Sequence, residues 1–161
     1  MKNLILFFGF LLLLTSCGGD DDICLSADST PRLKLKFKSA ANISSNQLIE
    51  VDTLYVDVDY GKANLTNIIT AQANVDSIFV PMRVDDVQYT DIYFRIRKDG
   101  PRSKMRVNYT TKPIYVSPAC GYKVNYENLN AELLESNPVQ NVESNHTSLT
   151  DESRINFYLR L

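Results

Sequence analysis

From residue 32 onward apolar side chains recur at every second position in one stretch after another, and no long stretch places them at the spacing of a helix buried on one side. Strict alternation puts successive side chains on opposite faces of an extended chain, so each stretch reads as a strand with one face buried and one face wet. In residues 32–38, Leu33, Leu35 and Phe37 share one face while Arg32, Lys34, Lys36 and Lys38 share the other. The basic run is therefore the solvated side of a strand, not a nucleic-acid site. Residues 53–60 alternate Leu54, Val56, Val58 and Tyr60 against Tyr55, Asp57 and Asp59, and Gly61 ends the run.

Residues 76–84 repeat the pattern with Ile78, Val80, Met82 and Val84, and Pro81 marks an edge strand or a bulge because it lacks an amide donor. Residues 90–97 turn Ile92, Phe94 and Ile96 inward. A Lys98-Asp99-Gly100-Pro101 turn then leads into Met105, Val107 and Tyr109, which makes a hairpin. Short strands are expected over 114–116, after Pro113, and over 121–126, with Tyr122, Val124 and Tyr126 on one face. Residues 128–153 read as irregular, with a helical turn around 131–135, lying over one end of the sheets. The last strand, 154–161, turns Ile155, Phe157, Leu159 and Leu161 inward. About seven or eight short antiparallel strands with no helix to cover a sheet predict an all-β, immunoglobulin-like β-sandwich.

The N-terminus has a different grammar. Lys2 is followed by an apolar run from Leu4 to Leu14, interrupted only by Gly9, and then by Thr15-Ser16-Cys17. Such a run is too short to span a bilayer comfortably and has the length of a signal-peptide core. Leu14-Thr15-Ser16-Cys17 resembles the lipobox of bacterial lipoproteins. That resemblance implies a diacylglycerol thioether on Cys17 and cleavage in front of it. Several acyl chains anchor stably where one is marginal, each buried methylene adding about 0.8 kcal/mol.

Three parts follow: a signal peptide over 1–16, a lipidated acidic tether over 17–23 and one β-sandwich domain over 24–161. Gly18-Gly19-Asp20-Asp21-Asp22 reads as a solvated tether, and it also resembles the export signal of Bacteroidetes surface lipoproteins. Removing residues 1–16 takes away Lys2 and no acid, so the formal charge moves from −2 to −3. No basic excess remains to draw in nucleic acid. The expected location is the cell envelope, with the membrane engaged through Cys17 at the outer membrane and the leaflet left open.

With lipid on Cys17, Cys24 and Cys120 remain as an even pair in an oxidising compartment. A disulfide is the economical reading; two buried free thiols are the alternative, and a metal site lacks further ligands. A bridge closing a loop of about a hundred residues adds about 4 to 5 kcal/mol in the chain-entropy model, less if strained.

Four segments carry a family resemblance: Asp21-Asp22-Ile23-Cys24, Thr30-Pro31-Arg32-Leu33, Asn74-Val75-Asp76-Ser77-Ile78, and residues 115–122 from Tyr115 through Cys120 to Tyr122. Together they resemble the DUF6452 family of uncharacterised Bacteroidetes lipoproteins. The resemblance implies an envelope lipoprotein, places Cys24 and Cys120 where that family carries cysteines, and brings no catalytic motif.

The residues leave little room for chemistry. One histidine, His146, sits in a polar stretch, so neither a zinc site nor a histidine-based triad is expected, and no cofactor is implied. Asp57 and Asp59 share a strand face, Asp52 precedes them, and Asp85-Asp86 follow another strand. Converging carboxylates could bind calcium or cleave a glycoside, but this spacing is what any solvated strand face gives. No phosphate loop, nucleophile elbow or Cys-x-x-Cys is present.

Nine tyrosines and no tryptophan permit a sugar platform, and Tyr55 and Tyr93, opposite their strands' apolar sets, are its candidate contacts. Exposed strand tyrosines also simply shield cross-strand pairs. Asp28-Ser29-Thr30, Asp52-Thr53-Leu54 and Asp76-Ser77-Ile78 resemble a short Bacteroidetes O-glycosylation motif, with Thr53 the best-placed acceptor. The expectation is a non-enzymatic envelope lipoprotein that binds an envelope protein or a surface polysaccharide. A carbohydrate-binding or adhesive module is the alternative, and a carboxylate-dependent hydrolase stands behind both.

Overall fold

Nine strands form two sheets in the computed structural model, which describes residue 24, residues 29–41 and residues 45–161. The segment expected to be a signal peptide, Cys17, the acidic run expected to be a tether, and Asp28 lie outside the described residues. In chain order the strands are β1 Leu33–Lys38, β2 Val51–Asp59, β3 Thr66–Val75, β4 Ser77–Val80, β5 Tyr89–Arg95, β6 Ser103–Ser117, β7 Gly121–Glu135, β8 Asn141–Ser144 and β9 Phe157–Arg160. One sheet runs β4-β1-β9-β8 and the other β3-β2-β5-β6-β7. The sandwich is as expected, but there are nine strands where seven or eight were expected. The pairing is also not purely antiparallel, because β1 and β9 run side by side in parallel.

The alternation explains which face each strand buries. Leu33, Leu35 and Phe37 of β1, Ile78 and Val80 of β4, and Phe157 and Leu159 of β9 meet Leu54, Val56 and Val58 of β2, Ile92 and Phe94 of β5, and Met105 and Val107 of β6 in one core cluster. Burying such a side chain fully is worth about 1.5–3 kcal/mol each, so this inward set dominates the drive to fold.

Where alternation was carried too far, the strands stop early. β4 ends at Val80 because Pro81 has no amide to donate, and Val84 is exposed. Ile96 lies past the end of β5 and is also exposed. Lys38, expected on a wet face, is buried with Arg160, and both reach Glu143.

Two segments differ more deeply. Residues 66–75, where alternation is weak, form β3, whose register against β2 shifts twice. Residues 128–135, read as irregular with a helical turn, belong to β7: Leu133 pairs with Met105 and Ala131 with Val107. Ala, Glu and Leu favour a helix locally, but a long partner strand overrides that preference. The two short strands expected over 114–116 and 121–126 are the distal halves of β6 and β7. Pro113 is tolerated inside β6 because β5 pairing ends at Asn108, leaving that side of the strand with no ladder to break.

Candidate binding face

The outer face of the five-stranded sheet carries a connected set of charged and aromatic side chains. Register sets its rows: Asp57, Tyr93, Lys104 and Glu135 lie side by side across β2, β5, β6 and β7, and Asp59, Asp91, Arg106 and Glu132 form the next row. Tyr55 stands opposite Arg95. Alternation turns all of these away from the core, because their neighbours Val56, Val58, Ile92, Phe94 and Met105 point into it.

Asp91 is the centre of the face. It is only 3% exposed, and it accepts hydrogen bonds from Arg106 Nε at 2.7 Å and Nη2 at 2.8 Å, with Lys104 Nζ at 3.0 Å. Burial alone pushes the Asp91 carboxyl up, but the Arg106 and Lys104 hydrogen bonds and charges more than offset it and hold the group below the ordinary carboxylate range. Asp59 sits directly opposite Asp91, an arrangement of like charges that is unfavourable unless relieved. The relief is visible: Asp59 turns to accept the Gly61 N–H at 2.7 Å, and Asp91 turns to its two cations.

Cations also cover the aromatic rings. Arg102 lies 4.7 Å and Lys104 5.5 Å from the Tyr93 ring centre, Arg95 lies 5.4 Å from that of Tyr55, and Arg106 lies 4.0 Å from that of Tyr89. Arg95 is fixed in turn by Asp57 at 2.8 Å, and Asp57 also accepts from Asn67 Nδ2 of β3 at 2.9 Å. The result is an interlocked lattice of tyrosines, guanidinium groups and carboxylates, each held by its neighbours before any ligand arrives.

The residues singled out from sequence fall in several places. Tyr55 and Tyr93 are both on this face; Tyr55 is half-buried and Tyr93 is only 8% exposed. Asp57 and Asp59 are there too but are committed to Arg95 and to Gly61. Asp85 binds Arg83 at 2.5 Å, away from them, and Asp52 and Asp86 are exposed. Among the described residues no group of three or more His, Cys, Asp or Glu could hold a metal. His146 is half-buried in the loop after β8, where its backbone N–H donates to the Asn156 carbonyl at 3.2 Å. Thr53 is half-buried on β2 and lines an open pocket of about 250 Å3 with Ile49, Ile96 and Leu161.

Cys24 and Cys120 are joined as a disulfide, with Cα atoms 5.7 Å apart. Cys120 lies in the turn between β6 and β7, at the end of a hairpin that runs on past the rest of the sheet. Sequence reasoning missed what stands beside it. Tyr115 and Tyr122 pair across the hairpin with ring centres 5.3 Å apart and are 55% and 71% exposed. Alternation grouped Tyr122 with Val124 and Tyr126; Tyr126 lies in the core and Val124 packs half-buried against it, but Tyr122 is exposed, because near the tip there is no opposite sheet to pack against.

A family model described as a family of unknown function (DUF6452) matches residues 53–161, which takes in the whole outer face, the hairpin and Cys120. No curated protein and no solved structure matches the chain.

Proposed function

The chain belongs to the DUF6452 family, and from that premise we propose that it is a non-enzymatic lipoprotein of the bacterial cell envelope. In this reading it is held to the outer membrane through lipid on Cys17 and binds another envelope protein through the outer face of its five-stranded sheet. The anchor is supported by the apolar run and Leu14-Thr15-Ser16-Cys17, and the Bacteroidetes affiliation by the acidic tether.

The observation that carries the binding role is the tyrosine–arginine lattice around Asp91. Tyr and Arg are the residue types over-represented where interfaces concentrate their energy, and side chains already fixed by neighbours lose little freedom on binding. Catalysis is not favoured by the same geometry, since the strand carboxylates engage cations and a turn amide instead of converging on a cleft. A carbohydrate platform needs bare rings, and here Arg102 and Lys104 cover Tyr93 while Arg95 covers Tyr55.

Chemical cross-linking of intact envelopes, followed by capture of the full-length lipoprotein, tests the role. A defined partner should be recovered with the wild type, and a Tyr55→Ala, Arg102→Glu variant of unchanged urea midpoint should recover about tenfold less, the equivalent of ~1.4 kcal/mol. Equal recovery by both proteins would remove the outer face as the binding surface.

A further inference from the structure

The disulfide fixes how such a lipoprotein must stand on its membrane. If Cys17 carries the lipid, only six residues, 18–23, stand between the anchor and Cys24, and Cys24 is bonded to Cys120 in the β6–β7 turn. The seven Cα-to-Cα steps from Cys17 to Cys24 span at most about 25 Å fully extended. The hairpin tip therefore cannot leave the bilayer surface by more than about that distance. Thr30, just ahead of β1, also meets the hairpin: its Oγ1 accepts the Val124 N–H at 3.0 Å. The opposite end of β6, at Ser103, is about 46 Å away along the strand at ~3.3 Å per residue.

The tip has the composition of a surface meant for an interface between water and lipid. Residues 113–122 contain no charged side chain, in a protein of net negative charge, and Lys112 and Lys123 flank them. Pro118 and Ala119 are exposed at the turn, and Tyr115 and Tyr122 stand exposed beside it. Tyrosine is enriched at membrane–water boundaries because its ring is apolar and its hydroxyl is polar. Resting on the lipidation reading above, we propose that the hairpin tip docks on the bilayer. Tyr115 and Tyr122 then sit at headgroup level, and the outer face of the sheet projects away from the membrane.

The contact is weak by itself, since two tyrosines and a turn bury little area. Tethering makes it effective: a short linker holds the tip at a local concentration in the millimolar range, so a weak contact is occupied without further affinity. The disulfide is what transmits the anchor's position to the hairpin. Without it, the lipid would connect only through residues 24–32 to β1.

The chain has no tryptophan, so single tryptophan substitutions report without background. The purified full-length lipoprotein, reconstituted into phosphatidylethanolamine bilayers with acyl chains brominated close to the headgroup, would carry Tyr115→Trp, Tyr122→Trp or, as the distant control, Ile96→Trp. Mass analysis of the N-terminal peptide verifies lipid on Cys17 in each preparation. Blue-shifted emission and bromine quenching at 115 and 122, with neither at 96, are expected. Reduction of the disulfide should lower the quenching. Lipid present on Cys17 with all three positions unquenched would overturn the docking alone, and an unlipidated Cys17 would overturn both the docking and the anchor. Unquenched tip positions that become shielded on adding surface polysaccharide would overturn the docking and give the tip to a polymer.

Discussion

At Asp91 a buried carboxylate is matched to two cations that remain partly open to solvent, at 32% for Arg106 and 21% for Lys104. Removing the negative charge leaves those cations free to rehydrate, so the cost lies between that of an exposed and that of a buried pair. Asp91→Asn should lower stability by about 1–2 kcal/mol, read as a fall in urea midpoint at unchanged slope. Asn156, 1% exposed, is a second small clamp. Its Oδ1 accepts the Lys34 N–H at 3.1 Å, and its Nδ2 donates to the Ser148 carbonyl at 3.1 Å, tying β1 to the loop after β8. Asn156→Ala leaves buried partners unsatisfied and should cost about 1–3 kcal/mol by the same measurement.

The pH profile also belongs to this scale. Glu143 is held low by hydrogen bonds from Lys38 and Arg160, and Glu152 by its hydrogen bond from Arg32, as Asp91 is by its two cations. A folded-state value below the unfolded one gives stability that is complete above about pH 4.5 and is lost as pH falls through the lowered values. Burial raises Tyr60, Tyr109 and Tyr126, with Tyr126 the furthest displaced. Their contribution is complete below about pH 10 and is lost as pH rises through the raised values. Urea midpoints should therefore hold a plateau between about pH 5 and pH 9 and decline on both sides. A midpoint that rises below pH 4 would contradict the carboxylate assignments.

The β6–β7 hairpin shows, among the elements, where sequence was legible and where it was not. Alternation identified Met105, Val107 and Tyr109 because β5 and the opposite sheet make their burial consistent with local pattern. It failed over 128–135, since Ala131 to Glu135 become extended only through pairing with residues 104–107, a contact invisible in a local window. It failed again at Tyr122, where period two continues but the core does not. β3 was missed because its run from Thr66 to Val75 has no clean alternation, and positive φ at Ala71 and Asn74 breaks its pleat. The outer-face tyrosines were legible as outward-facing; their cover of Arg95, Arg102 and Lys104 was not, because it depends on register across three strands. Gly121 closes the hairpin turn at φ 69°, with open space where a Cβ would stand, so Gly121→Ala meets only the backbone penalty. That substitution should destabilise by about 1–2 kcal/mol, measurable by thermal melting.

The disulfide gives the molecule a direction. It links residues 96 apart and connects the start of the described chain to the hairpin, so one end of the long axis is tied to whatever holds the N-terminus. Its removal by Cys24→Ser, Cys120→Ser should cost up to about 4.7 kcal/mol by loop entropy, less where the unfolded chain is already compact. On the proposed anchoring and docking, the double variant should keep lipid on Cys17 while losing the fixed spacing between tip and membrane. Anchoring is the premise on which both the envelope role and the orientation stand, and the mass of the N-terminal peptide from the membrane fraction tests it most directly. Lipid-anchored attachment predicts a peptide that begins at Cys17 and carries diacylglycerol on its sulfur; a peptide that retains residues before Cys17, or begins there without lipid, would contradict it.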